Sequence, residues 1–222
     1  MLTTDPTVPT NILQADVLRT TTTSTVTDLP AASANATSVA SSAAVNVLNG
    51  VVTATLVRGV ASATADGGAA TVSSVGSDIE GLMIDPDGTG PLPAVAHEVA
   101  PNTRVNLDPL VFGAGSYVAL YERKASTSSP TGSSGGTYVS DLEVNMIHVH
   151  VTGAALIGEV DVIVGQAVAH ADFPQTTVCG GLRGSASAAR PRSSTCRRTR
   201  AWLRSGSVRS RSRPPAVAAA RP

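Results

Sequence analysis

At 222 residues the chain has room for one domain of ordinary size plus terminal segments, and with aromatics at only 3% any core has to be assembled from Ala and Val. The formal charge of zero is a sum of unlike parts. Up to Phe173 there are 16 acidic residues against five basic ones (Arg19, Arg58, Arg104, Arg123 and Lys124), a net of −11, whereas from Pro174 onward there are eleven arginines and no acid. An acidic domain of this kind repels nucleic acid and anionic lipid, no stretch approaches the roughly 18 to 20 apolar residues of a spanning helix, and both cysteines, Cys179 and Cys196, lie in the basic tail, so the domain proper has no internal disulfide.

In chain order, residues 1–14 read as a flexible N-terminal segment. They lack the basic start and apolar core of a signal peptide. Residues 15–27 (ADVLRTTTTSTVT) form a β-branched run that favours extended backbone over a Thr/Ser stalk. In residues 35–65, Val45 and Val47 alternate with Asn46, and Asn49-Gly50 reads as a two-residue hairpin turn. After it, Val52, Ala54, Leu56 and Arg58 are expected on one face and Val51, Thr53, Thr55 and Val57 on the other. Residues 71–84 loosely echo 37–51, which raises a two-fold internal repeat and a solenoid-like alternative.

Residues 103–107 and 116–123 read as strands, with Tyr117, Ala119 and Tyr121 on one face and Val118 and Leu120 on the other. Residues 125–136 (ASTSSPTGSSGG) read as a flexible hairpin connection. The strongest β signal is 137–151 (TYVSDLEVNMIHVHV). Leu142, Val144 and Met146 alternate with acids and Asn145, then the phase shifts so that Ile147, Val149 and Val151 alternate with His148 and His150. One extra residue at Met146-Ile147 would restore a single apolar face, the trace of a β-bulge. Residues 159–170 complete the pattern, with Gly165 marking a bend or close approach, and the periodicity ends at Phe173-Pro174. The domain at 15–173 is therefore all-β, an antiparallel sandwich, followed by a disordered Arg/Ser/Pro/Ala-rich tail at 174–222. That tail reads either as a basic arm for nucleic acid or anionic surfaces or as a GC-rich gene translated out of frame.

Few residues point to chemistry. His148 and His150, two apart on a strand, project to one side and can supply two metal ligands, with Glu143, Asp161 or His170 as a third; the alternative is a solvated sheet face. The loop Asp85-Pro86-Asp87-Gly88-Thr89-Gly90 resembles oxygen-rich calcium turns, without the glutamate of an EF-hand, and is otherwise a rigid turn. No nucleophile elbow or phosphate loop occurs and the domain has no cysteine, so no catalytic residue is expected and the protein is read as a non-enzyme. Asn35-Ala36-Thr37 fits the N-glycosylation pattern.

Residues 38–54 (SVASSAAVNVLNGVVTA), 101–107 (PNTRVNL), 117–122 (YVALYE) and above all 144–165 (VNMIHVHVTGAALIGEVDVIVG) resemble the choice-of-anchor P family of bacterial secreted and surface domains, over about residues 15–171. The resemblance implies an extracellular or cell-surface setting, a cell-envelope or extracellular partner and a structural or adhesive role with no catalytic residues. It also implies a signal peptide and further strands ahead of the matching region and an anchor behind it, which this sequence does not display. The competing function is a metal-dependent or carbohydrate-binding module, with Ca²⁺ or Zn²⁺ at His148, His150, Asp85 or Asp87. Nucleic-acid binding would rest on the tail alone.

Overall fold

The computed structural model describes residues 12–27, 32–87, 99–130, 136–154 and 158–174, and the backbone of 210–212. Among these residues the chain forms twelve strands and one helical turn. The first sheet contains β1 (Leu13–Gln14), β2 (Val17–Thr27), β3 (Ser33–Val47), β4 (Val52–Asp66), β5 (Ala70–Ser73), β6 (Asp78–Glu80) and β7 (Met83–Ile84). The second contains β8 (Thr103–Asn106), β9 (Tyr117–Ser128), β10 (Thr137–Ala154), β11 (Gly158–Pro174) and β12 (Ser210–Ser212), in the spatial order β12-β11-β10-β9-β8. All the pairings are antiparallel.

Two long hairpins face each other and make an all-β sandwich, not a solenoid. β11 lies across β3 and β4, and β10 across β4. The expected repeat is absent from this architecture: 37–51 belongs to one 15-residue strand and its turn, while 70–84 is broken into three short strands that all pair with β4. The Asn49-Gly50 turn is also longer than two residues, because Val47 and Val52 are the last ladder partners and Leu48, Asn49 and Gly50 all take positive φ. β9 runs to Ser128, so residues 125–128, read as loop, are paired with Val139–Leu142 across the ladder. Between β8 and β9 a single turn, α1 (Pro109–Phe112), is capped by Asp108, whose carboxylate accepts the Leu110 amide at 2.8 Å.

The core divides along the strands. At one end Ala34, Ala36, Ala63 and Ala65 of the first sheet meet Ala167, Ala169 and Ala171 of the second; at the other, Val45, Val47, Val52 and Val57 meet Ile147, Val149, Val162 and Val164, all buried. A hydrogen bond from Ser140 Oγ to the Thr64 carbonyl (3.0 Å) ties the alanine end together. Small side chains let the sheets approach closely, which recovers by contact density part of what the scarcity of aromatics loses.

Between these halves the strands change phase. In β3 the buried positions run Ala34, Ala36, Ser38, Ala40, Ser42 and then Val45, Val47; in β11 they run Val160, Val162, Val164 and then Ala167, Ala169, Ala171. The expected β-bulge is one extra residue in one strand. The structure instead takes one residue off the ladder in each neighbouring strand, Tyr121, Met146 and Gly165 in the second sheet and Ala44 in the first. Tyr121, Gly165 and Ala44 do so with φ of 49°, 69° and 49°. Because neighbours slip together, Asn145↔Gln166 and Ile147↔Val164 keep one register while the faces exchange. Two face assignments change with it. Tyr121 leaves the side of Tyr117 and turns inward, its hydroxyl 2.7 Å from Ser74 Oγ of the opposite sheet; Val57 is buried, whereas Arg58 is exposed.

Candidate metal centre on the outer face of the second sheet

The phase change decides which polar residues become neighbours. Met146 and Ile147 both turn into the core. Asn145 and His148 are therefore consecutive on the outer face of β10, although they are three apart in sequence. Two short polar runs, Glu143-Asn145 and His148-His150, are thereby joined into one. Glu122 of β9 spans the junction: its Oε2 accepts from Asn145 Nδ2 at 2.8 Å and lies 3.5 Å from His148 Nδ1.

From the other side the hairpin register places Asp161 of β11 directly opposite His150. Asp161 Oδ1 contacts His150 Nδ1 at 2.8 Å and His148 Nε2 at 3.2 Å. Glu159, two residues earlier on the same face, completes a grouping in which one donor atom each from His150, Glu159 and Asp161 lies within 4.8 Å of the others. Tyr117, opposite His150 on β9, packs against both imidazoles with ring centroids 5.7 Å from His148 and 5.2 Å from His150, and the Arg104 guanidinium lies 3.8 Å above the Tyr117 ring.

Burial works to raise the Asp161 carboxyl, but hydrogen bonds from His150 and His148 and their charge outweigh it and hold it below the ordinary value of 3.8. Glu122 behaves alike: desolvation is overcome by the Asn145 hydrogen bond and by Lys124 and His148, so its carboxyl sits below 4.5. Desolvation opposes the charge on Lys124, yet Glu143 and Glu122 hold its ammonium above the ordinary value. Lys124 is 59% exposed, so its ion pairs contribute little to stability. Asn145 is fully buried, donates to both Glu122 and Glu143 (2.8 and 2.9 Å), and leaves its Oδ1 without a hydrogen-bond partner.

The sequence candidates separate into three places. His148, His150 and Asp161 come together. Glu143 lies along the same face but is engaged by Lys124, Asn145 and Gln166. His170 lies beyond it and pairs with Asp141. Asp85 and Asp87 lie on the connection after β7, where the Asp85 amide donates to the Val51 carbonyl at 2.8 Å and the Pro86 carbonyl accepts from Asp108 at 2.8 Å; neither joins the grouping around His150. Residues 88–90 of that loop lie outside the described residues. Glu159 was not singled out by its sequence context. The available signal was the symmetry of His-Val-His at 148–150 with Glu-Val-Asp at 159–161 across one hairpin.

Around tetrahedral zinc, ligand distances of about 2.0–2.2 Å put donors about 3.4 Å apart. The Asp161–His150 pair at 2.8 Å has to open slightly, and donors that lie within 4.8 Å of one another have to settle to that common spacing. Glu159 is exposed and can make that movement, and His148 stands next to the same carboxylate oxygen. An imidazole with two carboxylates suits a borderline transition metal better than calcium, which takes six to eight oxygens. Fold and site together define an all-β sandwich with a histidine–carboxylate cluster on one outer face. No family model, curated protein or solved structure matches the chain. No helix among the described residues is long and apolar enough to cross a membrane.

Proposed function

We propose that this domain is a non-catalytic β-module that binds a divalent transition metal, zinc in type, through His150, Asp161 and Glu159, with His148 as the neighbouring fourth donor. The observation that carries this reading is the convergence of three donor atoms within 4.8 Å on one rigid hairpin. His148 and His150 have ladder partners on both sides, so little of their ordering is left to be lost on binding, while Glu159, at the register irregularity of the hairpin, is the ligand that moves. Titration calorimetry of the full chain with Zn²⁺ is expected to give a one-site isotherm that Asp161→Asn and His150→Ala each abolish, with no heat from Ca²⁺. A melting temperature unmoved by excess Zn²⁺, with no binding heat, refutes the reading.

A second reading, a structural or adhesive module displayed outside a bacterial cell, is favoured by β2, an 11-residue threonine-rich strand exposed along its whole length. Finding the native protein only in cytosolic fractions would remove it.

A further inference from the structure

β2 is a sheet edge without the usual safeguards. The opposite edge of the same sheet is divided among β5, β6 and β7, of four, three and two residues, and β8 at one edge of the second sheet has four. Edge strands this short give another sheet little to pair with. β2 runs for eleven residues, pairs with β3 without a break in register and contains no proline and no acid; its one charge is Arg19. All eleven residues are exposed, the aliphatic Leu18 to 58% and Val26 to 45%. Leu18, Thr20, Thr22, Ser24 and Val26 stand opposite Ser42, Ala40, Ser38, Ala36 and Ala34 of β3, every one of them buried. Cross-strand partners project to the same side, so β2 continues the buried face of β3 beyond the cover of the second sheet.

We infer that β2 is a self-association surface, which pairs antiparallel with β2 of a second copy about a twofold axis through Thr22. A twofold contact requires a surface complementary to itself. The core-side face of β2 meets that requirement, because it reads the same in both directions: aliphatic Leu18, hydroxyls at Thr20, Thr22 and Ser24, aliphatic Val26. With the axis at Thr22, Leu18 of each copy faces Val26 of the other, Thr20 faces Ser24, and Thr22 faces Thr22. Moving the axis to Thr21 sets Leu18 against Ser24, and moving it to Thr23 sets Val26 against Thr20, so either shift separates the aliphatic pair.

The outer face of the strand agrees. Thr21 faces Thr23, Val17 faces Thr27, and Arg19 faces Thr25, so hydroxyls pair and the two arginines stay apart. Alternate residues of an antiparallel edge turn their N–H and C=O groups outward. The proposed register sets even positions against even and odd against odd, so outward groups of one copy meet outward groups of the other. Each copy thereby satisfies the edge of its partner, and the assembly closes at two chains. The surface does not depend on the metal reading, whose residues lie on the second sheet.

Sedimentation equilibrium of the full chain from about 5 to 500 μM, the range suited to a contact at the small end of protein interfaces, is expected to give an average mass that rises toward that of two chains and stops there. A single-chain mass throughout overturns the proposal and turns the edge over to a strand of another protein; a mass that climbs past two chains overturns it as well. Thr22→Lys and Thr22→Glu each set like charges against one another on the axis, at a position exposed in one chain, and each should weaken association about five-fold. An equimolar mixture of the two variants should restore it. Unchanged association of both variants, or no recovery in the mixture, refutes the register. In a Cys179→Ser, Cys196→Ser background, a short bis-maleimide should couple two chains through Thr22→Cys but not through Thr25→Cys, because Thr25 of one copy stands six residues, about 20 Å, from Thr25 of the other. Equal coupling by both variants refutes the axis at Thr22.

Discussion

Gly59→Ala probes a place where the backbones of the two sheets come close together. A Cβ at position 59 would lie 2.2 Å from the carbonyl oxygen of Gly165 and 3.2 Å from Met146 Cγ. The first of these is a backbone atom at the phase change of β11 and has no rotamer by which to withdraw. Restoring ordinary contact requires the sheets to part locally by about 1 Å, and a gap of that size forfeits a quarter to a half of the dispersion energy of the facing side chains. Val57, Met146 and Val164 are the buried residues beside that crossing. Overpacking of this kind costs about 3 kcal/mol, which for a domain of this size lowers Tm by about 6–12 °C. The measurement is urea and thermal unfolding followed by far-UV circular dichroism, with Gly67→Ala as control, since nothing lies within 4 Å of a Cβ there. If Gly59→Ala unfolds together with Gly67→Ala, the close crossing at Gly165 is wrong.

Further expectations follow from the polar contacts. Tyr121→Phe removes the inter-sheet hydrogen bond to Ser74 and should cost about 1 kcal/mol in chemical denaturation, with the fold retained. Asn145→Asp places a third carboxylate against Glu122 and Glu143; it should destabilise more than Asn145→Ser at pH 7, as urea denaturation of the two variants would record. Asp161 and Glu122 have carboxyls lowered in the folded state, so the folded form binds fewer protons than the unfolded form near their ordinary values of 3.8 and 4.5. Their stabilising contribution is full above those values and is lost as pH falls through the lowered folded values. Asp161→Asn should flatten that acid limb, and an unchanged limb would contradict the assignment.

Much of the fold was legible because strands announce themselves by local chemistry. The Thr run of β2, the Val/Ala alternation of β3 and β4, and the acid–apolar alternation of β10 needed no partner to be recognised, and the phase shift at Met146-Ile147 was visible as text. Its form was not. Alternation along one strand cannot distinguish a residue inserted against its neighbours from one that its neighbours match, so Tyr121 was assigned to the wrong face and the switch at Ala44 passed unnoticed. The site was half legible for the same reason. His148 and His150 were conspicuous by spacing, and Asp161 was one of three possible third donors, but only the hairpin register chose it over Glu143 and His170 and added Glu159.

The sequence by itself determined the acidic, cysteine-free composition and the all-β class of the chain up to Phe173, since composition and two-residue periodicity act locally and need no knowledge of what packs against them; it did not show that Leu13–Gln14, in the segment read as flexible, pairs with β3. Only the tertiary structure decided which residues share a face, that Asn145 and His148 are neighbours, that Gly59 meets Gly165, and that β2 overhangs its sandwich. Those relations depend on how adjacent strands slip together and how two sheets are laid across one another, quantities that no single strand carries in its own pattern.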